Sequence, residues 1–243
     1  MTSLSMFSQF LTNNPVLTLL LIAHFLADFQ WQSQKMAELK SYKWAYLLKH
    51  LFIVALPLIL IAFLVPRSLF LVFLIFISHA VIDTAKLLFY PLYKSHSLAK
   101  EIFIIDQTLH LLINFILYQI FGKSLSFWPA NLNYFLKLFL FLVLITKPIN
   151  IIFKLFFNKY QVKDKVEDET IIGAGATIGV LERFIMGIFL LFGQFASIGL
   201  VFAAKSIARY DKISKNQAFA EYYLIGSLFS IISVLTIYAI CIL

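Results

Sequence analysis

The chain has 243 residues, of which 61% are hydrophobic and only 13% are charged, and its mean hydropathy is +0.90. These values lie outside the range of soluble globular proteins and predict a polytopic membrane protein. The single cysteine, Cys241, excludes a disulfide framework and a cysteine-based metal cluster. The net charge of +8 comes from lysines and arginines scattered between apolar runs. We interpret them as topology signals and contacts with membrane lipid, and we expect no nucleic-acid partner.

We predict an all-α fold, a bundle of about eight transmembrane helices, because a helix needs roughly 20 apolar residues to cross a bilayer. The predicted spans are residues 15–31, 47–66, 68–90, 101–121, 131–147, 171–191, 195–209 and 219–242. We interpret the chain 1–243 as a single transmembrane domain with halves 1–121 and 131–243. The polar linker 158–170 is too short to be a domain.

The region 171–209 allows a second interpretation with seven spans. Its stretch Phe184–Ala204 is a 21-residue window without a charged residue before Lys205, which resembles one complete span. We favour eight spans, with a turn at Gly193–Gln194, because lysines cluster on both sides of the region. Lysine-rich loops are cytoplasmic, and an even number of crossings must then separate them.

The same rule predicts the orientation of the chain. The lysine-rich loops 31–45, 91–100, 158–170 and 210–218 are predicted to be cytoplasmic. Arg67, the segment 122–130 and both termini are predicted to lie outside. No removable signal peptide is evident at the start, and we expect the inner membrane of a bacterium.

Four of the five histidines and three of the six aspartates fall in the first four predicted spans. Six of these seven residues form pairs spaced four apart, which places both side chains on one helix face. The pairs are His24 with Asp28, His79 with Asp83, and Asp106 with His110; His50 is the seventh residue. The third pair is reversed in sequence because its helix runs in the opposite direction, so every carboxylate is nearer the cytoplasm.

At a rise of about 1.5 Å per residue, all seven residues lie within the cytoplasmic leaflet. Ionisable residues inside a membrane mark function unless they only pair with one another. Imidazoles and carboxylates from four helices suit one or two divalent ions such as Zn, Mn, Fe or Mg. We predict metal ligands at His24, His50, His79, His110, Asp83 and Asp106. The catalytic candidates are Asp28, Asp83 and Asp106, as ligands, tautomer anchors or the general base.

Further polar residues lie near these pairs. Lys35 and Lys86 are candidates to bind an anionic substrate group, and Gln30 and Gln107 are candidate substrate contacts.

In the second half, we predict a structural or gating network of Glu182, Arg183 and Glu221, with Lys205 as a further partner. The spacing of Gly175 and Gly179 indicates close helix packing before it.

The segments HFLADFQWQ, HAVIDTAK, DQTLH, IGVLER and AEYYLIGSL resemble an uncharacterised bacterial family of polytopic membrane proteins, a domain of unknown function. The resemblance covers most of the chain. The HxxxD elements at His79 and Asp83, and at His24 and Asp28, are also similar to those of bacterial membrane-bound metal-dependent hydrolases. That likeness implies a metal-dependent hydrolytic activity.

Three functions follow from these observations. The first is an integral-membrane metal-dependent hydrolase acting on a lipid or amphiphile in the cytoplasmic leaflet. The second is a transporter or a metal or proton conduit that uses the same residues. The third is an interaction protein whose polar network only specifies helix packing. The nearly apolar stretches 51–66 and 111–121 disfavour the conduit.

Overall fold

The computed structural model describes residues 3–93, 98–125, 132–161 and 173–243. Within these ranges the chain is helical and contains no strand, which confirms the predicted all-α class. The α-helices are α1 (Ser3–Asn13), α2 (Pro15–Phe25), α3 (Gln34–Leu39), α4 (Trp44–Leu64), α5 (Leu69–Leu88), α6 (Tyr90–Tyr93), α7 (Ala99–Leu117), α8 (Asn133–Leu144), α9 (Lys147–Phe157), α10 (Ala174–Leu191), α11 (Ser197–Ala208), α12 (Tyr210–Lys215) and α13 (Gln217–Cys241).

Six helical stretches of the described chain are long and apolar enough to cross a membrane. They are Trp44–Leu64, Pro66–Leu88, Ala99–Gly122, Asn133–Tyr160, Ala174–Leu191 and Gln217–Cys241. A seventh is obtained if Met6–Asn13 and Pro15–Gln30, which meet at an angle of 98°, form one broken span. The fold is therefore that of a polytopic membrane protein, with six or seven long spans where about eight are predicted.

The difference from eight lies in the predicted span 195–209 and, where only six spans are counted, also in the first predicted span, 15–31, whose helix α2 has 11 residues. The turn expected at Gly193–Gln194 is present, because α10 ends at Leu191 and Gly193 has a φ of +70°. The chain therefore does not continue as one helix from Phe184 to Ala204. However, α11 has only 12 residues, and at 1.5 Å per residue it is about 18 Å long. That is shorter than the hydrocarbon thickness of a bilayer, about 30 Å.

The chain forms two compact units, one of which is Gln9–Leu140. Its central helix is α2, whose residues from Val16 to Leu20 are all buried. A helix that is apolar on all sides is stable when neighbouring helices surround it, and α2 packs against α4 and α7. This packing carries the end of α2, with His24, into the interior of the unit.

Two helices of this unit end in π-helical turns. The turn after α2 covers Leu26–Gln30, and its backbone hydrogen bond runs from Trp31 N to Leu26 O at 2.8 Å. The turn after α7 covers Tyr118–Gly122. Short π-helical segments are frequent at functional sites, and the first one contains Asp28, a predicted site residue.

The other unit comprises the chain up to Ser8 together with Phe141–Leu243. The predicted span 131–147 continues further than expected, since α9 follows α8 after a short interruption and the apolar stretch reaches Tyr160. Pro148 is tolerated because it occupies the first turn of α9, where its missing N–H has no helical acceptor. Of the predicted linker 158–170, residues 162–170 lie outside the described chain, as do residues 94–97 of the predicted loop 91–100.

Candidate metal centre

The structure brings together all seven of the predicted histidines and aspartates. They lie within the unit Gln9–Leu140, and each side chain belongs to a residue that is at most 6% exposed. Four elements contribute them: His24 from α2 and Asp28 from the π-helical turn, His50 from α4, His79 and Asp83 from α5, and Asp106 and His110 from α7. We name this group the His/Asp cluster.

The cluster lies near one end of the helices that carry it. His50 is six residues from the start of α4, Asp83 five from the end of α5, and Asp106 seven from the start of α7. At 1.5 Å per residue these offsets correspond to about 8 to 11 Å. Because α5 runs antiparallel to its neighbours, equal offsets from opposite helix ends place the three side chains at one depth.

Four ligand atoms converge at the centre of the cluster. His50 Nε2 lies 3.2 Å from His79 Nε2, 3.2 Å from Asp83 Oδ2 and 3.4 Å from Asp28 Oδ1. His79 Nε2 lies 3.5 Å from each of the same two carboxylate oxygens. We name these four atoms the first ligand set.

The spacing of the first ligand set matches a tetrahedral metal site. Ligands at 2.0 to 2.2 Å from a tetrahedral ion are separated from one another by about 3.3 to 3.6 Å. Five of the six edges of this tetrahedron are the distances just given, and they range from 3.2 to 3.5 Å. Two imidazole nitrogens and two carboxylate oxygens are also ligands that divalent transition metals accept.

A buried lysine that is not among the predicted site residues joins the cluster. Lys40, directly after α3, is 5% exposed, and its ammonium lies 2.9 Å from His50 Nε2 and donates to Asp83 Oδ2 at 3.2 Å. Burial alone lowers the pKa of Lys40, but the carboxylates of Asp83 and Asp28 outweigh it, so that the pKa is raised. Lys40 therefore supplies a positive charge to the carboxylates.

Gln107 connects the pairs from α2 and α7. Its Nε2 donates to Asp28 Oδ2 at 3.2 Å and to Asp106 Oδ2 at 3.3 Å. Its Oε1 lies 3.1 Å from His24 Nε2 and accepts a hydrogen bond from it. That hydrogen bond leaves the lone pair of His24 on Nδ1. The predicted substrate contact at Gln107 thus holds the side chains of the cluster in place.

The remaining part of the cluster is the pair on α7. Lys86 donates to Asp106 Oδ2 at 2.9 Å. His110 Nδ1 lies 2.8 Å from the backbone oxygen of Asp106, and the rings of His110 and His79 are 4.1 Å apart between their centroids.

Several buried polar atoms of the cluster have no hydrogen-bond partner. Among the described residues these atoms are His24 Nδ1, Asp28 Oδ1, His50 Nδ1, Asp83 Oδ1, Asp106 Oδ1 and His110 Nε2. Buried polar groups are normally paired, because an unpaired one costs about 1–3 kcal/mol. Three triads in the cluster, which are His24–Asp28–His79, His50–His79–Asp83 and Asp83–Asp106–His110, could each hold a metal ion with one atom per residue.

Two further residues, Lys35 and Gln30, are predicted site residues. Lys35 is exposed near the start of α3, whereas Lys40, directly after the end of this helix, is buried in the cluster. Gln30 is half-buried at the end of the π-helical turn.

The predicted network of the second half divides into two parts. Lys205 donates to Glu182 at 2.7 Å, between α11 and α10. Arg183 is buried and donates to the backbone oxygens of Ile145 and Thr146, at 2.6 and 3.2 Å. These two residues form the short interruption between α8 and α9.

The remaining partners of Arg183 are neutral side chains, Ser230 at 3.3 Å and Asn150. Glu221 accepts instead from Gln217 on an exposed face of α13, so the structure separates it from Arg183.

Comparison with known proteins identifies a family. The family model described as "Protein of unknown function (DUF3307)" matches residues 16–139, about half of the chain. The chain belongs to this family. The matched range contains the whole His/Asp cluster and Lys40, and it does not include the segments IGVLER and AEYYLIGSL of the second half. Among curated proteins and among solved structures, none matches the chain.

Proposed function

We propose that this member of the family is a divalent-metal-dependent membrane hydrolase that acts on a lipid or another amphiphile. The observation that carries the proposal is the first ligand set, whose interatomic distances of 3.2 to 3.5 Å are those of ligands around one tetrahedral ion. The likeness of its HxxxD elements to membrane-bound metal-dependent hydrolases supports the same reaction class.

A purely structural network explains the cluster less well. Such a network is stable when its donors and acceptors are matched. Here His50 Nε2 lies within hydrogen-bond distance of both His79 Nε2, at 3.2 Å, and the Lys40 ammonium, at 2.9 Å, and its one lone pair or one N–H can serve only one of them. Asp28 Oδ1 lies near both nitrogens without a hydrogen bond to either. One cation at their centre would be bound by all of these atoms.

The residues around the first ligand set suit a hydrolytic site. The first ligand set supplies four protein ligands, so a divalent ion held there would bind water only as a fifth ligand or after one carboxylate had left; such an ion would lower the pKa of that water and polarise the bond to be cleaved. Lys40 lies beside the ligands and supplies a positive charge for an oxyanion. Gln107 keeps Asp28 and His24 oriented. An amphiphile can present its polar group at this depth, about 10 Å from the helix ends, while its apolar part stays among lipid chains.

The first test of the proposal is metal content. Protein purified in detergent without chelators should contain divalent metal, and the double substitution His79→Ala with Asp83→Ala should remove it. Wild-type protein without metal, before and after incubation with Zn²⁺ or Mn²⁺, would contradict the proposal. Retained folding of the double variant, followed by gel filtration and thermal unfolding, separates a binding site from a network that only holds helices.

The second test is hydrolysis. Metal-loaded protein should cleave one of a set of p-nitrophenyl esters of phosphate, phosphorylcholine and fatty acids, and the double variant should not. The matched control is Glu101→Gln, which changes an exposed carboxylate on α7. Full metal loading without turnover of these esters or of bilayer lipids would remove the hydrolase and leave a metal-binding protein.

One observation favours a second candidate function, a proton or metal conduit. The buried face of α7 and its π-helical turn carries a polar residue at every fourth position, beginning with Asp106 and His110 and continuing with Asn114 and Tyr118. Tyr118 donates to Asn14 at 2.6 Å, at the bend between α1 and α2. The stretch 111–121 is therefore less apolar on its buried face than its composition indicates.

Transport in proteoliposomes separates the two candidates. A conduit predicts flux of protons or of Mn²⁺ across the bilayer, which Asn114→Leu and Tyr118→Phe should reduce. A hydrolase predicts that both variants keep full activity and that the wild-type protein supports no flux.

A further inference from the structure

The buried atoms that remain outside the first ligand set form a second group. Asp83 uses Oδ2 toward His50 and His79, while its Oδ1 has no hydrogen-bond partner. Asp106 Oδ1 and His110 Nε2 also have none, and all three residues are at least 94% buried. Asp83, Asp106 and His110 can each offer one ligand atom within 4.8 Å of the others.

The orientation of these side chains is that of metal ligands. His110 Nδ1 donates to the backbone oxygen of Asp106 at 2.8 Å, which leaves the lone pair on the unpartnered Nε2. Metal-ligating histidines are commonly oriented by such a hydrogen bond from their other nitrogen. Lys86 and Gln107 both donate to Asp106 Oδ2, which leaves Oδ1 available.

We propose that a second divalent cation binds Asp83 Oδ1, Asp106 Oδ1 and His110 Nε2, and that the carboxylate of Asp83 bridges it to the first ion. This inference rests on the proposed function, because Asp83 belongs to both ligand sets. The rings of His79 and His110, 4.1 Å apart, show that the two sets adjoin. Carboxylate-bridged pairs of ions about 3.5–4 Å apart are typical of metal-dependent hydrolases and bind both the attacking and the leaving oxygen.

The charges of the cluster predict how the second cation behaves. Three carboxylates face two ammonium groups, those of Lys40 and Lys86, so that the site without metal carries one net negative charge. The first divalent ion makes the site positive, and the second increases that charge. The second ion therefore binds more weakly than the first, and an anion that neutralises the excess strengthens its binding.

Manganese is the probe that tests this inference, because Mn²⁺ accepts carboxylate and imidazole ligands and can be both counted and seen by electron paramagnetic resonance. Wild-type protein saturated with Mn²⁺ should bind about two ions per chain with the resonance of a coupled pair. His110→Ala and the nearly isosteric Asp106→Asn should each bind one, with the signal of an isolated ion. Glu101→Gln, the matched carboxylate change on α7, should bind two. Inorganic phosphate should tighten the weaker of the two binding steps in the wild type only.

The possible outcomes distinguish this inference from the proposed function. One ion in the wild type, unaffected by His110→Ala and lost in His50→Ala, overturns the second cation and leaves the proposed function standing. No ion in the wild type overturns both. Two ions in both His110→Ala and Asp106→Asn overturn the assignment of the second site to these residues. An uncoupled pair in the wild type overturns the bridge through Asp83.

Discussion

Lys40 allows a sharp prediction because it carries a positive charge where the proposed metal would carry another. Its ammonium donates to Asp83 Oδ2 at 3.2 Å and lies 2.9 Å from His50 Nε2. In protein without metal it compensates the buried carboxylates, whereas in the metal-bound protein the ion does so. The substitution Lys40→Met keeps the unbranched shape of the side chain, one atom shorter, and removes its charge, so its effect on stability should depend on metal.

The magnitude follows from the distance. Two unit charges 3.2 Å apart attract with about 5 kcal/mol at an effective dielectric constant of 20, and breaking a buried ion pair costs about 3–5 kcal/mol. Lys40→Met should therefore lower the stability of the metal-free protein by that amount, or by about 6 to 20 °C in Tm. Metal should restore it, so that the variant binds the ion about 150- to 5,000-fold more tightly than the wild type.

Thermal unfolding in detergent, followed by tryptophan fluorescence with EDTA or with Zn²⁺, measures both states. Lys35→Met is the matched control, because Lys35 is an exposed lysine on α3, the helix that precedes Lys40, and it should change neither Tm nor metal affinity. If Lys40→Met bound metal no more tightly than the wild type, the carboxylates would not be the shared partners of Lys40 and the ion. Weaker binding would make Lys40 a part of the metal site and refute the reasoning.

Three further predictions concern other parts of the molecule. An added Cβ at Gly179 would lie 3.2 Å from a guanidinium nitrogen of Arg183, whereas one at Gly175 would meet nothing within 4 Å. In thermal unfolding, the Gly179→Ala variant should therefore be less stable than the Gly175→Ala variant by about 1–3 kcal/mol. Replacing Arg183 by Met should destabilise the protein and leave its metal content unchanged, since the partners of Arg183 all lie outside the His/Asp cluster; loss of metal would contradict this separation. With Cys241 replaced, an impermeant thiol reagent added outside should label a cysteine at Ser126 and spare those at Ser41 and Lys163. Because α11 is too short to cross the bilayer, a cysteine at Ser214 should be labelled as well, and protection there would mean that the region 171–209 crosses the membrane twice, as loop charge predicts.

The composition of the His/Asp cluster was accessible from sequence because helix periodicity determines it. Residues four apart share a helix face. Because neighbouring helices are antiparallel, the order His–Asp on one and Asp–His on the next places both carboxylates toward the same side of the membrane. The pairs on α5 and α7 follow this rule directly. His24 and Asp28 also meet, although Asp28 lies in a π-helical turn that no sequence pattern indicated.

Lys40 and the roles of individual atoms were not accessible in the same way. Lys40 follows the short helix α3, outside any long periodic stretch, and its inward direction depends on how the chain turns between α3 and α4. The hydrogen bonds of Gln107 to His24 and Asp28 likewise depend on helix packing rather than on spacing. A lysine close to a predicted intramembrane carboxylate cluster was the one available signal, and it did not distinguish Lys40 from Lys35.

The number of long spans could not be predicted from sequence periodicity either. Charge placed the turn at Gly193–Gln194 correctly, but hydropathy does not report that the helix after it has only 12 residues. The predicted span 131–147 is too short, since the helical stretch continues to Tyr160, and Arg183 explains this continuation. It donates to the backbone oxygens of Ile145 and Thr146. These hydrogen bonds satisfy two carbonyls at the interruption of the helix, so the helical stretch can continue into α9.

Arg183 and the His/Asp cluster, both buried in the described chain, differ in a way that bears on function. Arg183 has a donor at every branch of its guanidinium bound to a neutral oxygen, and none of its nitrogens is among the unpartnered buried atoms of the described chain. With four of its five N–H donors bound in this way, Arg183 fixes backbone geometry and offers no lone pair to a cation. In the His/Asp cluster, by contrast, the three proposed ligand atoms of the second cation are all unpartnered. They are Asp83 Oδ1, Asp106 Oδ1 and His110 Nε2. An excess of lone pairs over donors in a buried site can be relieved by a cation, and for this reason we assign binding to the cluster in Gln9–Leu140 and a structural role to Arg183.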